Sequence, residues 1–351
     1  MKVDKFINTK PYLIAGPCSA ESSTQLLQVA ESLIGISDVF RAGIWKPRTA
    51  PGTFEGVGKR GLKWLTNIKR ETGLKVMTEV ATAKHVELCL EADIDMLWIG
   101  ARTTVNPFYV QEIADSLSGI DIPIFVKNPI HPELDLWIGA LERFNKVGIT
   151  QLAAVHRGFF STDKITFRNN PKWEVPIKLK ELVPQIPIIC DPSHIAGNPI
   201  TIQDIAQTAM DLDMDGLMIE THLNPISALS DSQQQIKPRE LVRLMKNLIL
   251  RKSNLDNKEA LDKLNKLRKE IDFYDSKIVQ LLNTRKELVK DIASLKKEYD
   301  ITVFQIERWY TILKNRKQDA TRLNLNEKML AEIFELIHKY SILTQTKIMR
   351  S

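Results

Sequence analysis

Hydrophobic positions in this chain follow two rhythms, and the rhythm changes near residue 240. Before that point short apolar runs rich in β-branched residues recur: YLIAGPC (12–18), VFRAGIWK (39–46), LKVMTEV (74–80), MLWIGA (96–101), PIFVKN (123–128), ITQLAAVHRG (149–158), IPIICDPSH (186–194) and GLMIETH (216–222). Amphipathic stretches such as SSTQLLQVAESL, AKHVELCLEA and NPFYVQEIADSL separate them. Continuous apolar strands alternating with helices predict a parallel sheet covered by helices. Eight such units predict an α/β fold of the (β/α)8 TIM-barrel kind. No glycine-rich dinucleotide fingerprint follows the first run, which argues against an open doubly wound sheet.

The last glycine is Gly216 and the last proline is Pro238. Apolar residues then recur at three- and four-residue steps through Leu264, Leu267, Ile271, Tyr274, Ile278, Leu281, Leu288, Ile292 and Leu295. This spacing predicts one helix over 258–298, roughly 60 Å long at about 1.5 Å per residue, with shorter helices near 304–318 and 326–348. Such a helix cannot bury its stripe alone, so the all-α three-helix unit predicts a homodimer. The expected organisation is a barrel over 1–250, a polar linker over 251–258 (RKSNLDNK) and the helical domain over 259–351.

Composition narrows the class. A chain of 351 residues is too long for one ordinary core, and 43% hydrophobic with 26% charged residues is globular usage. No apolar run is long enough for a bilayer, and MKVDKFINTKPY carries no apolar signal segment. Three scattered cysteines make no disulfide framework. The expectation is a cytoplasmic protein without a membrane partner. Residues 251–351 hold 22 Lys+Arg against 15 Asp+Glu, whereas the remainder holds 27 against 28, so the net basic charge lies at the C-terminal end. No aromatic–basic interleaving or base-reading motif accompanies it, so an anionic small molecule is the expected partner, not nucleic acid.

A barrel of this kind works at the C-terminal ends of its strands. Those ends supply two sets of residues. One is cationic: Arg41, Lys46, Arg48, Arg102, Lys127 and Arg157. Six cations at one mouth repel one another unless phosphate or carboxylate binds among them. The other set is Cys18, His194, Glu220 and Asp231, a mixed S/N/O group that suits a divalent transition metal such as manganese, iron, cobalt or zinc. Any one of these residues alone reads as a buried small hydrophobe or a paired surface charge. Their recurrence at successive strand ends carries the argument.

The runs AGPCS (15–19), KPRTAP (46–51), IGAR (99–102), HRG (156–158), DPSHIAG (191–197) and MIETH…ALSD (218–231) resemble 3-deoxy-D-arabino-heptulosonate 7-phosphate (DAHP) synthases of the compact type I beta, without an N-terminal regulatory extension. The KPRT run separates them from octulosonate 8-phosphate and sialic acid synthases. The resemblance covers about 10–250. It implies condensation of phosphoenolpyruvate with erythrose 4-phosphate, with Cys18, His194, Glu220 and Asp231 holding a metal, manganese first among the candidates. It also implies Arg41, Lys46, Arg102, Lys127 and Arg157 around phosphoenolpyruvate, and Arg48 and Thr49 at the aldose phosphate. Lys46 is further expected to donate to the developing alkoxide, and Glu79 to position the water that completes the reaction. Asn128-Pro129 departs from the Arg-Gly that often follows the lysine.

In the helical part Arg285 interrupts the apolar stripe, and Lys296 lies eleven residues on, near the same face. Arg268 points about 100° away. LNKLRKEIDFYDSKIVQLLNTRKELVKDIASLKK and YSILTQ (340–345) resemble the opening and closing helices of all-helical chorismate mutases over about 258–350. The resemblance implies Arg268, Arg285, Lys296, Arg308, Ser341 and Gln345 as chorismate or prephenate contacts, with Arg268 reaching across a dimer and Lys296 and Gln345 facing the ether oxygen. Trp309 stands where the family usually has glutamate. The fusion implies feedback on the barrel by chorismate or prephenate. The rival readings are a helical domain that only senses ligand and dimerises, and a barrel that makes a different sugar acid.

Overall fold

The computed structural model describes residues 1–47, 52–162, 166–252 and 257–350. The chain divides into two compact units, Met1–Ser253 and Asn254–Ser351.

The first unit is a closed barrel of eight parallel strands in sequence order: β1 (Tyr12–Gly16), β2 (Val39–Arg41), β3 (Lys75–Val80), β4 (Met96–Ile99), β5 (Ile124–Lys127), β6 (Leu152–His156), β7 (Ile188–Cys190) and β8 (Gly216–Glu220). All eight expected runs form strands. β8 closes on β1 with Tyr12 opposite Gly216 and Gly16 opposite Glu220. The runs read as continuously apolar because both faces are buried. Ile14, Val39, Met77, Trp98, Phe125, Val155, Ile189 and Met218 fill the barrel interior. Their neighbours Leu13, Phe40, Val76, Leu97, Ile124, Ala154, Ile188 and Leu217 join the layer beneath the helices.

Two strands end well inside their apolar runs. β2 stops at Arg41, and β7 stops at Cys190, so His194 lies on the one-turn helix Pro192–Ala196 rather than on a strand. The cause is local. The Asp191 side chain accepts from the His194 amide at the helix start, Pro192 has no amide to lose, and Gly197 ends the turn at φ 69°. Gly16 adopts φ 148°, and a Cβ there would sit 2.1 Å from the Arg41 carbonyl oxygen. Only glycine lets β1 approach β2 this closely as the chain turns toward Cys18.

The second unit is three helices, Lys258–Glu298, Ile306–Leu323 and Glu327–Arg350. Its interior is thin: among the described residues Val289, Ala293, Ala320, Ser341 and Gln345 are buried. Leu267, Ile271, Tyr274, Ile278, Leu281, Leu288, Ile292 and Leu295 are exposed in the single chain. The long helix therefore keeps an uncovered apolar face.

Candidate active site

The strand ends converge at one mouth of the barrel, on a cavity of about 360 Å³. Lys46, Glu79, Arg102, Lys127, Arg157, His194 and Asp231 line it, together with Ile130, Phe160, Arg168 and Asn169. Arg48 and Thr49 lie outside the described residues.

At the edge of the cavity the donor atoms of Cys18, Glu220 and Asp231 fall within 4.8 Å of one another. Asp231 Oδ2 is 3.1 Å from Cys18 Sγ. His194 Nε2 is 3.9 Å from Glu220 Oε1, and its Nδ1 is 2.8 Å from Asp191 Oδ2. A ring nitrogen held by a carboxylate while the other faces the donor cluster is the usual posture of a metal-ligating histidine. One thiol, one imidazole and two carboxylates form a set that fits a borderline divalent ion. Burial, with the Glu220 charge beside it, pushes the Cys18 thiol up to about 12.

The cations are tightly held. Arg41 Nη1 pairs with Glu220 Oε1 at 2.9 Å, its Nη2 donates to the Cys18 carbonyl at 3.1 Å, and the side chain is fully buried. Lys46 Nζ lies 3.0 Å from both the Cys18 carbonyl oxygen and Sγ. Burial pulls Lys46 down, but Cys18, Glu220 and Glu79 outweigh it and leave its pKa raised. Lys127 Nζ pairs with Asp191 Oδ2 at 2.8 Å. Arg157 Nη1 donates to Asn169 Oδ1 at 3.0 Å. Burial pulls Arg157 down to about 10; Asp191 opposes this, while Arg168 and Arg102 add to it. Arg157 still carries its charge at neutral pH, so like charges crowd the cavity. Bound anions relieve that arrangement.

Strand ends alone miss two residues. Arg168 sits in the loop after β6, where it donates to Asp231 Oδ1 at 2.9 Å and to Gln234 Oε1. Asn169 donates to the His194 carbonyl at 2.6 Å. The bridge between Phe159 and Asn170 folds this loop back over the mouth, and no strand-end pattern announces it. Asp191 is legible at its strand end, but its double contact with Lys127 and His194 emerges only in three dimensions.

In the helical unit Arg285 Nη1 donates to Ser341 Oγ at 2.6 Å, and Lys296 Nζ donates to the Val303 carbonyl at 2.7 Å. Gln345 is buried, while Arg268 and Arg308 are exposed on the single chain. A cavity of about 390 Å³ lies beside Arg285, Ser341 and Tyr340. Trp309 stacks on His338, with ring centroids 4.1 Å apart at 12°.

The profile of the DAHP synthetase I family matches residues 5–256, and that of chorismate mutase type II matches residues 267–346. The phospho-2-dehydro-3-deoxyheptonate aldolase of Thermotoga maritima is 32% identical over 241 residues, which span 67% of this chain and 69% of that protein. The 2-dehydro-3-deoxyphosphooctonate aldolase of Helicobacter acinonychis is 26% identical, over 71% of this chain and 98% of that one. Among solved structures, the T. maritima DAHP synthase superposes with a TM-score of 0.60 at 27% identity, covering 67% of this chain and 68% of that one. Its truncated form gives 0.57 at 25% identity, covering 67% and 85%.

Proposed function

The chain belongs to the DAHP synthetase I family and carries a type II chorismate mutase domain behind the barrel, and from that premise we propose how each half works. The barrel condenses phosphoenolpyruvate with erythrose 4-phosphate to give DAHP and inorganic phosphate. The observation that carries this is the 360 Å³ cavity, with Lys46, Arg102, Lys127 and Arg157 on its wall and His194 and Asp231 at its edge.

Arg41, Lys46, Arg102, Lys127 and Arg157 take the carboxylate and phosphate of phosphoenolpyruvate, and Arg48 and Thr49 take the aldose phosphate. Cys18, His194, Glu220 and Asp231 hold a divalent transition metal, manganese first among the candidates, with cobalt, iron and zinc also fitting. When bound, it supplies Lewis-acid polarisation of the aldehyde. C3 of the enol phosphate attacks the aldehyde carbon, and Lys46 donates to the oxygen that gains charge. Water oriented by Glu79 adds to C2, Glu79 receives its proton, and the C2–O bond to phosphate breaks as the ketone forms.

The helical domain rearranges chorismate to prephenate. The reaction is unimolecular, so it needs only groups that hold the reactive conformer and stabilise the separating ether oxygen. Arg285, Arg308, Ser341 and Arg268 of a second copy hold the carboxylates, while Lys296 and Gln345 face the oxygen. The uncovered apolar face of the long helix supports a homodimer. Residues 251–258 are read as the join between the domains, and the protein as cytoplasmic; among the described residues no helix is long and apolar enough to cross a membrane.

One observation favours a second reading of this half. Trp309 stacks on His338 where an acceptor for the substrate hydroxyl would stand, as suits a domain that only senses ligand and dimerises. Prephenate formation by the full chain, with and without Arg285→Ala, separates the two: mutase chemistry predicts turnover that falls at least about 100-fold in the variant. Erythrose 4-phosphate assayed against arabinose 5-phosphate tests the barrel. Preference for the five-carbon aldose would overturn the reading.

A further inference from the structure

One side chain touches both sets of groups on which the barrel chemistry depends. Trp98 lies on β4, fully buried in the barrel interior and set back from the cavity wall. The Arg41 guanidinium carbon is 4.6 Å from its ring centroid, and the Lys127 ammonium is 5.9 Å away. Its indole Nε1 donates to Glu79 Oε2 at 3.1 Å. Glu79 is its register partner on β3. The other carboxylate oxygen, Oε1, occupies space that Gly100 leaves open; a Cβ there would fall 2.1 Å from it. An electron-rich ring beside two cations lowers the cost of holding them close together. A buried N–H donated to a carboxylate oxygen limits where that carboxylate can point.

We propose that Trp98 is the positioning residue of the barrel site. Its ring holds Arg41 and Lys127 in place for the anionic substrate, and its N–H aims Glu79 at the carbon where water adds. This rests on the proposed roles of Arg41, Lys127 and Glu79. The two functions are separable, because one uses the π face and the other a single proton. A side chain that only filled the barrel would affect stability and both substrates alike. Trp98 instead acts on phosphoenolpyruvate binding through its ring and on turnover through its N–H.

The test replaces Trp98 site-specifically with a mono- to tetrafluorotryptophan series in the full-length enzyme supplied with manganese. Fluorine withdraws electron density from the ring while leaving the heavy-atom framework and the N–H in place. The expected result is a graded rise in KM for phosphoenolpyruvate, reaching about 5-fold, with the KM for erythrose 4-phosphate within about 2-fold. Trp98→Phe keeps a π face and loses the donor. It should lower kcat about 10-fold, and introducing it into a Glu79→Gln background should lower kcat no further. If Trp98→Phe does not fold, the fluorine series still decides the ring function. In that case kcat of the 7-azatryptophan variant, whose N–H is retained but more acidic, replaces it for the donor: a change in kcat that vanishes in the Glu79→Gln background supports the aim at Glu79. A flat fluorine series, or kcat losses that add fully to those of Glu79→Gln, overturns the proposal. Lys127→Met and Glu79→Gln run alongside as controls. If both leave KM and kcat intact, the reading of the site itself fails; if they are impaired while the Trp98 series is flat, only the inference falls.

Discussion

His156 illustrates how far a buried residue can be driven from its ordinary chemistry. It is fully buried, packed against Phe159 and Trp173. Burial, with Arg157 adding to it, pushes its pKa down from 6.5 to about 3. The unfolded chain therefore binds the proton first. Stability from this source is complete above about pH 6.5 and declines as pH falls toward 3, by up to about 1.4 kcal/mol per unit. Urea unfolding between pH 7 and 4 should show that slope in the wild type, and His156→Gln should flatten it; an unchanged slope would remove His156 as the cause. At Gly100 the constraint is steric. Gly100→Ala places a methyl group against Glu79 Oε1, while Trp98 holds the carboxylate by its other oxygen, Oε2. The expected outcome is kcat lowered about 10-fold, roughly the loss of one charged hydrogen bond, with KM for phosphoenolpyruvate nearly unchanged in steady-state kinetics.

At the scale of elements, the eight strands are legible because a barrel strand is buried on both faces and its sequence shows it. Arg41, Lys127, Glu79 and Glu220 are legible because a strand ends at or just beyond each of them. The stopping points of β2 and β7 within longer apolar runs are less so: β2 closes at Arg41, and the Asp191-Pro192 cap stops β7. Arg168 and Asn169 are illegible for a different reason. They belong to a loop that returns to the mouth through a two-residue bridge, and bridge pairing has no periodicity to read. The helical unit reads clearly as helices but not as a packing arrangement. Its apolar spacing predicts a seam, yet Ile278 and Leu281 are exposed while the smaller Ala293 is buried. The proposed homodimer covers that face. Ile278→Glu should shift the full chain from dimer toward monomer in light scattering and lower mutase turnover with it. A monodisperse wild-type monomer would contradict the homodimer.

For the whole molecule, the distribution of charge separates the two halves: the basic excess lies behind residue 250, on the unit that matches chorismate mutase type II. Two enzyme families on one chain place an early and a later reaction of one biosynthetic route under a single gene product. Prephenate or chorismate acting at the helical domain should therefore inhibit DAHP formation by the full chain, and Arg285→Ala should relieve it. Inhibition that survives the substitution unchanged would locate the regulatory site elsewhere. The central claim, however, concerns the barrel: four donors holding a divalent metal beside a cationic cavity. Its most direct test is DAHP formation from phosphoenolpyruvate and erythrose 4-phosphate by the full chain, measured before chelation, after exhaustive chelation, and after manganese is restored. Product is expected at the first stage, a loss of at least about 100-fold at the second and recovery at the third; full activity after thorough chelation would rule out the four-donor metal site.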